Sequence, residues 1–232
     1  MVLNALTIDL EDWFHPIYVS DRVGQLHAAP MIEESTVYVR RLLEALGIKA
    51  PFFVLGEIAA RYPRLVRDIK RKGHEIASHG YSHTPLWKMT PKAFAGEVSR
   101  LNAVGKRAIG VAPVGFRAPS FSLSNETVWI LKILKENGYL YDSSVFPVRT
   151  PLYGIRKVPL RPYHPSLENL SVENPDEKLF EFPPLATSFL GIRVPTAGGF
   201  YFRILPESVV RHAVAELNRN GHPAMLFFHP WE

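Results

Sequence analysis

Short apolar runs alternate with helical stretches along this chain. The pattern predicts an α/β fold whose parallel sheet curls toward a (β/α)7 barrel. Three observations carry that prediction. Seven runs have strand character, and most are separated by segments with helical spacing. The chain has 232 residues and is 47% hydrophobic, enough for one barrel-sized core. Ionisable residues end several of the runs, where parallel barrels keep their active groups.

The elements follow in order. Residues 3–8 form a first apolar strand that meets Asp9. Residues 33–46 carry apolar residues at helical spacing, Val37, Leu42, Leu43 and Leu46, and stop at Gly47. Residues 51–56 are a second strand, 65–72 a helix closed by Gly73, and 75–78 a third strand. Thr90 caps the next helix, with Pro91 at its first position and Phe94, Val98 and Leu101 facing inward. A strand at 114–117, a helix at 124–137 and a strand at 140–142 continue the alternation. Residues 146–199 break it. They are rich in proline and read as a strand-and-loop insertion over the site mouth, with a further strand near 181–183. A helix at 206–220 and a strand at 224–228 close the pattern, and His229 follows. No repeat or linker divides the chain, so one domain over residues 1–232 is expected. The chain stops three residues after His229, where a barrel would be expected to continue with a helix.

Composition excludes several classes. The formal charge is 27 − 22 = +5, and the basic residues are dispersed, which speaks against a nucleic-acid groove. There is no cysteine, hence no disulfide and no thiolate metal site. The N-terminal apolar stretch reaches Asp9 too early for a signal peptide. No run approaches the roughly 20 apolar residues of a membrane span. A cytoplasmic location is expected.

His79-Gly-Tyr-Ser-His83 is the most specific chemical signal. Neutral imidazoles four residues apart can face one metal ion. His74-Glu75 before them imitates the zinc-protease pattern His-Glu-x-x-His. However, Ser78 stands where its second histidine belongs, and the segment reads as a strand. Asp9-Leu10-Glu11-Asp12 offers a carboxylate to complete a two-histidine, one-carboxylate site and a second one to act as base. Arg117, Asp142 and His229 stand at further strand ends. Trp13, Phe14, Tyr81, Trp87, Phe121 and Trp231 cluster near these motifs, as a surface that stacks on sugar rings would require.

These residues resemble the polysaccharide deacetylases of the NodB-homology type, carbohydrate esterase family four. The likeness is nearest to the exopolysaccharide-locus and peptidoglycan-deacetylase-like subgroup. Five segments appear in that family's order: 7–13, 78–83, 116–121, 141–144 and 226–230. The resemblance implies a distorted, incomplete (β/α)7 barrel that removes N-acetyl groups from an amino-sugar glycan with a divalent metal, Zn²⁺ or alternatively Co²⁺. It implies Asp9 as base, paired with Arg117, and His229 as acid, with Asp142 orienting His229 or the arginine. Tyr81, Pro119, Phe121 and Trp231 are the expected substrate contacts. Many members carry two adjacent aspartates in the first segment, base then ligand. Here Leu10 follows Asp9, so the carboxylate ligand is Asp12 or Glu11, and Asp12 is preferred beside His79 and His83. The expected partner is an N-acetylated glycan, with homo-oligomerisation left open and neither nucleic acid nor a membrane span expected. Two rival readings stand beside this one: a metal-dependent hydrolase of small amides or cyclic ureides, allantoinase-like, and a non-catalytic glycan-binding protein on the same fold.

Overall fold

The computed structural model describes residues 2–17, 19 and 29–232. The strands are β1 (Ala5–Leu10), β2 (Pro51–Val54), β3 (Glu75–Ser78), β4 (Gly115–Phe116), β5 (Tyr141–Asp142), β6 (Phe180–Glu181), β7 (Ala186–Phe189), β8 (Ile192–Pro195) and β9 (Met225–Phe228). Seven of them form one parallel sheet in the order β6-β5-β4-β3-β2-β1-β9, while β7 and β8 make a separate antiparallel hairpin. The helices are α1 (Ile32–Ala45), α2 (Gly56–Arg61), α3 (Pro63–Arg71), α4 (Pro91–Ile109), α5 (Trp129–Glu136), α6 (Gly199–Ile204) and α7 (Glu207–Arg219).

The sheet is curled. A flat sheet would hold β4 and β9, four steps apart, at roughly 19 Å. Arg117 at the end of β4 nevertheless reaches Met225 Sδ of β9 at 3.2 Å and Thr7 Oγ1 of β1 at 3.0 Å. Only a half-barrel brings these groups together. β6 and β9 do not pair with each other, but Leu185, shortly after β6, donates its N–H to Met225 O at 2.8 Å. The barrel is therefore incomplete, with the gap bridged by loop.

Strand alternation sorts the side chains into two layers. Ile8 and Leu10 of β1, Phe52 and Val54 of β2 and Ile76 of β3 turn outward. They pack under α1 and α3 with Ile32, Val39, Leu43, Val66 and Ile69. Phe116 packs outward with Phe94, Val98, Ile130 and Leu134 of α4 and α5. The odd-numbered positions Thr7, Asp9, Phe53 and Arg117 point into the barrel, where the guanidinium carbon lies 3.9 Å from the Phe53 ring centre. Burial of the outward layer drives the fold at about 25 cal/mol per Å² of apolar surface.

Several boundaries differ from the sequence reading. β1 runs on through Asp9 to Leu10, so the carboxylate cluster begins inside the strand. α2 forms where only a strand end was read. The helix expected over 124–137 starts at Trp129, because Thr127 Oγ1 accepts from Ser124 N at 2.9 Å and holds that stretch as a turn. Thr90 does cap α4, its Oγ1 accepting from Ala93 N at 3.2 Å. Among the described residues no helix is long and apolar enough to cross a membrane.

Candidate active site

The inward alternation of β1 continues past its last residue. Asp9 and Glu11 therefore face the barrel mouth together, while Asp12 turns toward the helices. Glu11 Oε2 stands 2.6 Å from His83 Nε2 and 3.9 Å from His79 Nε2. Asp12 does not reach the histidines, which corrects the preference for it as the third ligand. Its carboxylate accepts from Met31 N at 2.9 Å, Ile32 N at 3.2 Å and Trp13 N at 3.1 Å, and so caps α1. Asp12 N in turn donates to His15 Nδ1 at 2.8 Å. His15 therefore carries its proton on Nε2, where Glu57 Oε1 lies at 2.9 Å. Asp12 and His15 fasten the loop that aims Glu11 inward.

The turn after β3 positions the two histidines. His79 N donates to Val54 O at 3.0 Å. Gly80 adopts φ +78, and a Cβ there would stand 3.0 Å from Pro119 Cγ, so the turn requires glycine. His83 itself sits at φ +55, a conformation rare outside glycine, and this returns its ring to within 5.4 Å of the His79 ring. His79 Nδ1 faces Arg117 O at 3.0 Å and must donate there, which leaves the Nε2 lone pair directed at Glu11.

Donor atoms of Glu11, His79 and His83 lie within 4.8 Å of one another, and all three residues are buried. Among the described residues, Glu11 Oε2 has no well-aligned hydrogen bond despite the nearby His83, and His83 Nδ1 has no hydrogen-bond partner. Lone pairs that converge on a shared point, rather than on each other's protons, fit a cation. The set of two imidazoles and one carboxylate suits zinc or a similar divalent ion. Burial alone would raise the Glu11 pKa, but His83, His229 and His79 outweigh it and hold the carboxyl at about 2. Burial lowers His79 to about 4, against the pull of Asp9, and keeps its ring neutral as a ligand must be.

Two further groups flank this triad. Arg117 is fully buried, and each of its five N–H groups has an acceptor: Asp9 Oδ1 at 2.5 Å, Thr7 Oγ1 at 3.0 Å, Ser143 O at 3.2 Å, Ser143 Oγ at 2.9 Å and Met225 Sδ at 3.2 Å. Asp9 Oδ1 is thus occupied, and Oδ2 lies 4.0 Å from His229 Nε2. His229 Nε2 is also 3.3 Å from Glu11 Oε1. Burial disfavours the charged His229 ring, but Glu232, Glu11 and Asp9 more than offset it and raise the ring to about 9. A cavity of about 370 Å³ opens over these groups, with Trp87, Phe121, Tyr153 and Phe227 among its walls.

Two family matches divide the chain. Residues 26–141, half of its length, match the polysaccharide deacetylase family. The chain belongs to the polysaccharide deacetylase family. Residues 143–232 match a domain of unknown function, DUF3473. The chain is 33% identical over 97 residues to the peptidoglycan-N-acetylglucosamine deacetylase of Bacillus cereus, covering 41% of this chain and 35% of that protein. It is 30% identical over 115 residues to the peptidoglycan deacetylase-like protein FGM2 of Gibberella zeae, covering 49% of this chain and 33% of that one. The chain thus spans about a third of the length of these relatives. A crystal structure of a candidate polysaccharide deacetylase from Mycobacterium smegmatis superposes with a TM-score of 0.66 at 25% identity, covering 98% of this chain and 76% of that one.

The site of this deacetylase-family chain draws on three stretches. Asp9 of β1 and Glu11 just after it precede the deacetylase match. His79, His83 and Arg117 lie inside it, and His229 lies in the DUF3473 segment. Four further expectations are corrected. Asp142 touches neither His229 nor Arg117; its oxygens accept from Ser144 Oγ at 2.6 Å and Ser144 N at 3.2 Å, and it faces Glu181. The partner of His229 is instead Glu232, whose Oε2 lies 3.0 Å from Nδ1. Tyr81 turns away from the cavity, under Arg100 at 3.7 Å and against Gly56. Pro119 is buried against Gly80, and Trp231 stacks on His229 at 4.8 Å without lining the cavity. Phe121 does line it. Tyr153 and Leu152, from the proline-rich stretch, also line it, and nothing in their spacing marks them.

Proposed function

We propose that the protein is a metal-dependent N-deacetylase of an amino-sugar glycan, holding Zn²⁺, or Co²⁺ in its place, on Glu11, His79 and His83. The observation that carries this reading is the convergence of these three donors beside the Asp9–Arg117 pair and His229 in one cavity. A divalent ion bound there supplies a Lewis acid for the amide carbonyl and a water acidified to a pKa of about 7. Asp9 accepts the proton of the attacking water on Oδ2, since Arg117 occupies Oδ1 and fixes the carboxylate plane. His229 delivers a proton from Nε2 to the departing nitrogen, which leaves as an amine only once protonated. Glu232 holds the opposite ring nitrogen and sets the ring angle. The aromatic walls receive the acetyl methyl group and the C–H faces of the sugar. Both family segments and β1 contribute to this one centre, which supports treating residues 1–232 as one functional unit.

The test is acetate release from a panel of N-acetylated glycans. Protein treated with chelator should lose activity and regain it with Zn²⁺ or Co²⁺. Full activity after chelation, or hydrolysis of allantoin with no acetate from any glycan, would overturn the reading.

A further inference from the structure

A second groove, of about 590 Å³, opens beside the reaction cavity. Trp87, Phe121, Leu152 and Tyr153 line both spaces and form a ridge between them. The groove's floor and rims belong partly to the DUF3473 segment, which contributes Arg149 and Arg156. Resting on the deacetylase reading, we propose that this groove is a subsite for a carboxylate-bearing sugar next to the N-acetylated unit, and that the enzyme prefers acidic glycans.

The arginines sit on a loop that is built to hold its shape. Ile155 N donates to Phe146 O at 2.9 Å, and Thr150 N to Tyr153 O at 2.8 Å. Thr150 Oγ1 accepts from Tyr153 N at 3.0 Å and Leu152 N at 3.2 Å. Gly154 adopts φ +99, and a Cβ there would fall 1.9 Å from Val148 O, so no other residue fits. Such a loop presents Leu152 and Tyr153 to the ridge and its arginines to the groove without ordering cost on binding.

The charges are poised for an anion. Arg149 spends one N–H on Gly154 O at 3.2 Å, and the exposed Arg156 forms no ion pair among the described residues. Guanidinium groups with free N–H pairs match the two oxygens of a carboxylate. Glu126 on the opposite rim is the groove's acidic residue, so the lining carries one net positive charge. That balance fits a monoanionic sugar rather than a polyphosphate. Glu126 and Ser124 can take up the sugar hydroxyls.

The experiment compares two N-acetylated oligomers of equal length on the zinc-loaded protein. One is a neutral N-acetylhexosamine chain, and the other alternates N-acetylhexosamine with hexuronic acid. At low ionic strength kcat/KM should favour the acidic oligomer about three- to tenfold, as expected for exposed but bidentate contacts. The ratio should fall to about one in the Arg149→Gln/Arg156→Gln double variant, and in wild type at about 0.5 M salt. Equal rates in wild type, or a preference that survives in the double variant, overturn the proposal. Calorimetric binding of the acidic oligomer separates this proposal from the parent reading. If no glycan releases acetate but the double variant alone loses binding, the groove stands and the deacetylase reading fails. Equal binding by both proteins removes the groove.

Discussion

Two pairs of buried carboxyl groups stand at strand ends of one sheet, and their neighbours give them opposite characters. Asp9, near the end of β1, and Glu11, just beyond it, face a guanidinium and three imidazoles. Asp142 and Glu181, at the ends of β5 and β6, face a serine hydroxyl and backbone amides. All four residues are at most 1% exposed. Burial therefore cannot be what distinguishes them. In the first pair the surrounding histidines hold Glu11 ionised. In the second, burial raises Asp142 and pushes Glu181 well above the usual carboxylate range, helped by the facing Asp142. Two ionised carboxylates cannot hydrogen-bond each other. One retained proton gives Glu181 Oε2 the partner that it otherwise lacks among the described residues. The first pair is equipped for chemistry, and the second ties the edge strand β6 to its neighbour β5.

Breaking the first pair should have the largest effect. Glu11→Ala or His79→Ala removes a ligand, and acetate release should drop on the order of a thousandfold, the rate equivalent of several kcal/mol. Metal analysis of the same variants should show no bound zinc. Asp9→Asn keeps the ligands and removes the proton acceptor. Turnover should fall about a hundred- to ten-thousandfold with zinc content unchanged. Loss of zinc in Asp9→Asn would make Asp9 a ligand and erase the division of labour between the two carboxylates.

The second pair should act on stability alone, through pH. A raised folded pKa means that the pair's contribution is complete below the unfolded value of about 4.3 and is lost as pH rises through the folded value. Glu11, with its lowered pKa, works the other way: its contribution in metal-free protein is present above about 4.5 and is lost as pH falls toward about 2. Glu181→Gln should therefore gain stability relative to wild type as pH rises from 5 to about 9. Urea midpoints across that range check the slope, and a constant difference would show that the pair shares no proton. Activity per folded molecule should be unaffected in sign and size by this exchange beyond about twofold.

The fold was legible in the sequence because each strand of the half-barrel is a short apolar run and most crossover helices carry a cap or a closing glycine. The hairpin of β7 and β8 was not. Its turn places Leu190 at φ +49, and leucine is no turn signal. In the site, His79, His83, Arg117 and His229 could be read from strand ends. The choice between Glu11 and Asp12 could not, because it depends on how far β1 continues. A strand that ended at Ile8 would leave the cluster free to turn either way. One that runs to Leu10 carries its two-residue alternation onto Glu11 and sends Asp12 to cap α1. Asp142 misled for a related reason: its position at a strand end is the same as that of Asp9, and only Ser144 and Glu181, distant or uninformative in sequence, reveal its different surroundings.

The most direct test of this account is a zinc titration of the metal-free protein beside its Glu11→Ala and Asp12→Ala variants. Wild type should bind one Zn²⁺ per chain. Glu11→Ala should show no saturable site. Asp12→Ala should still saturate at one ion, with affinity weakened about ten- to a hundredfold because the loop behind Glu11 has lost its anchor. Retained stoichiometric binding in Glu11→Ala, with binding abolished in Asp12→Ala, would contradict the metal centre described.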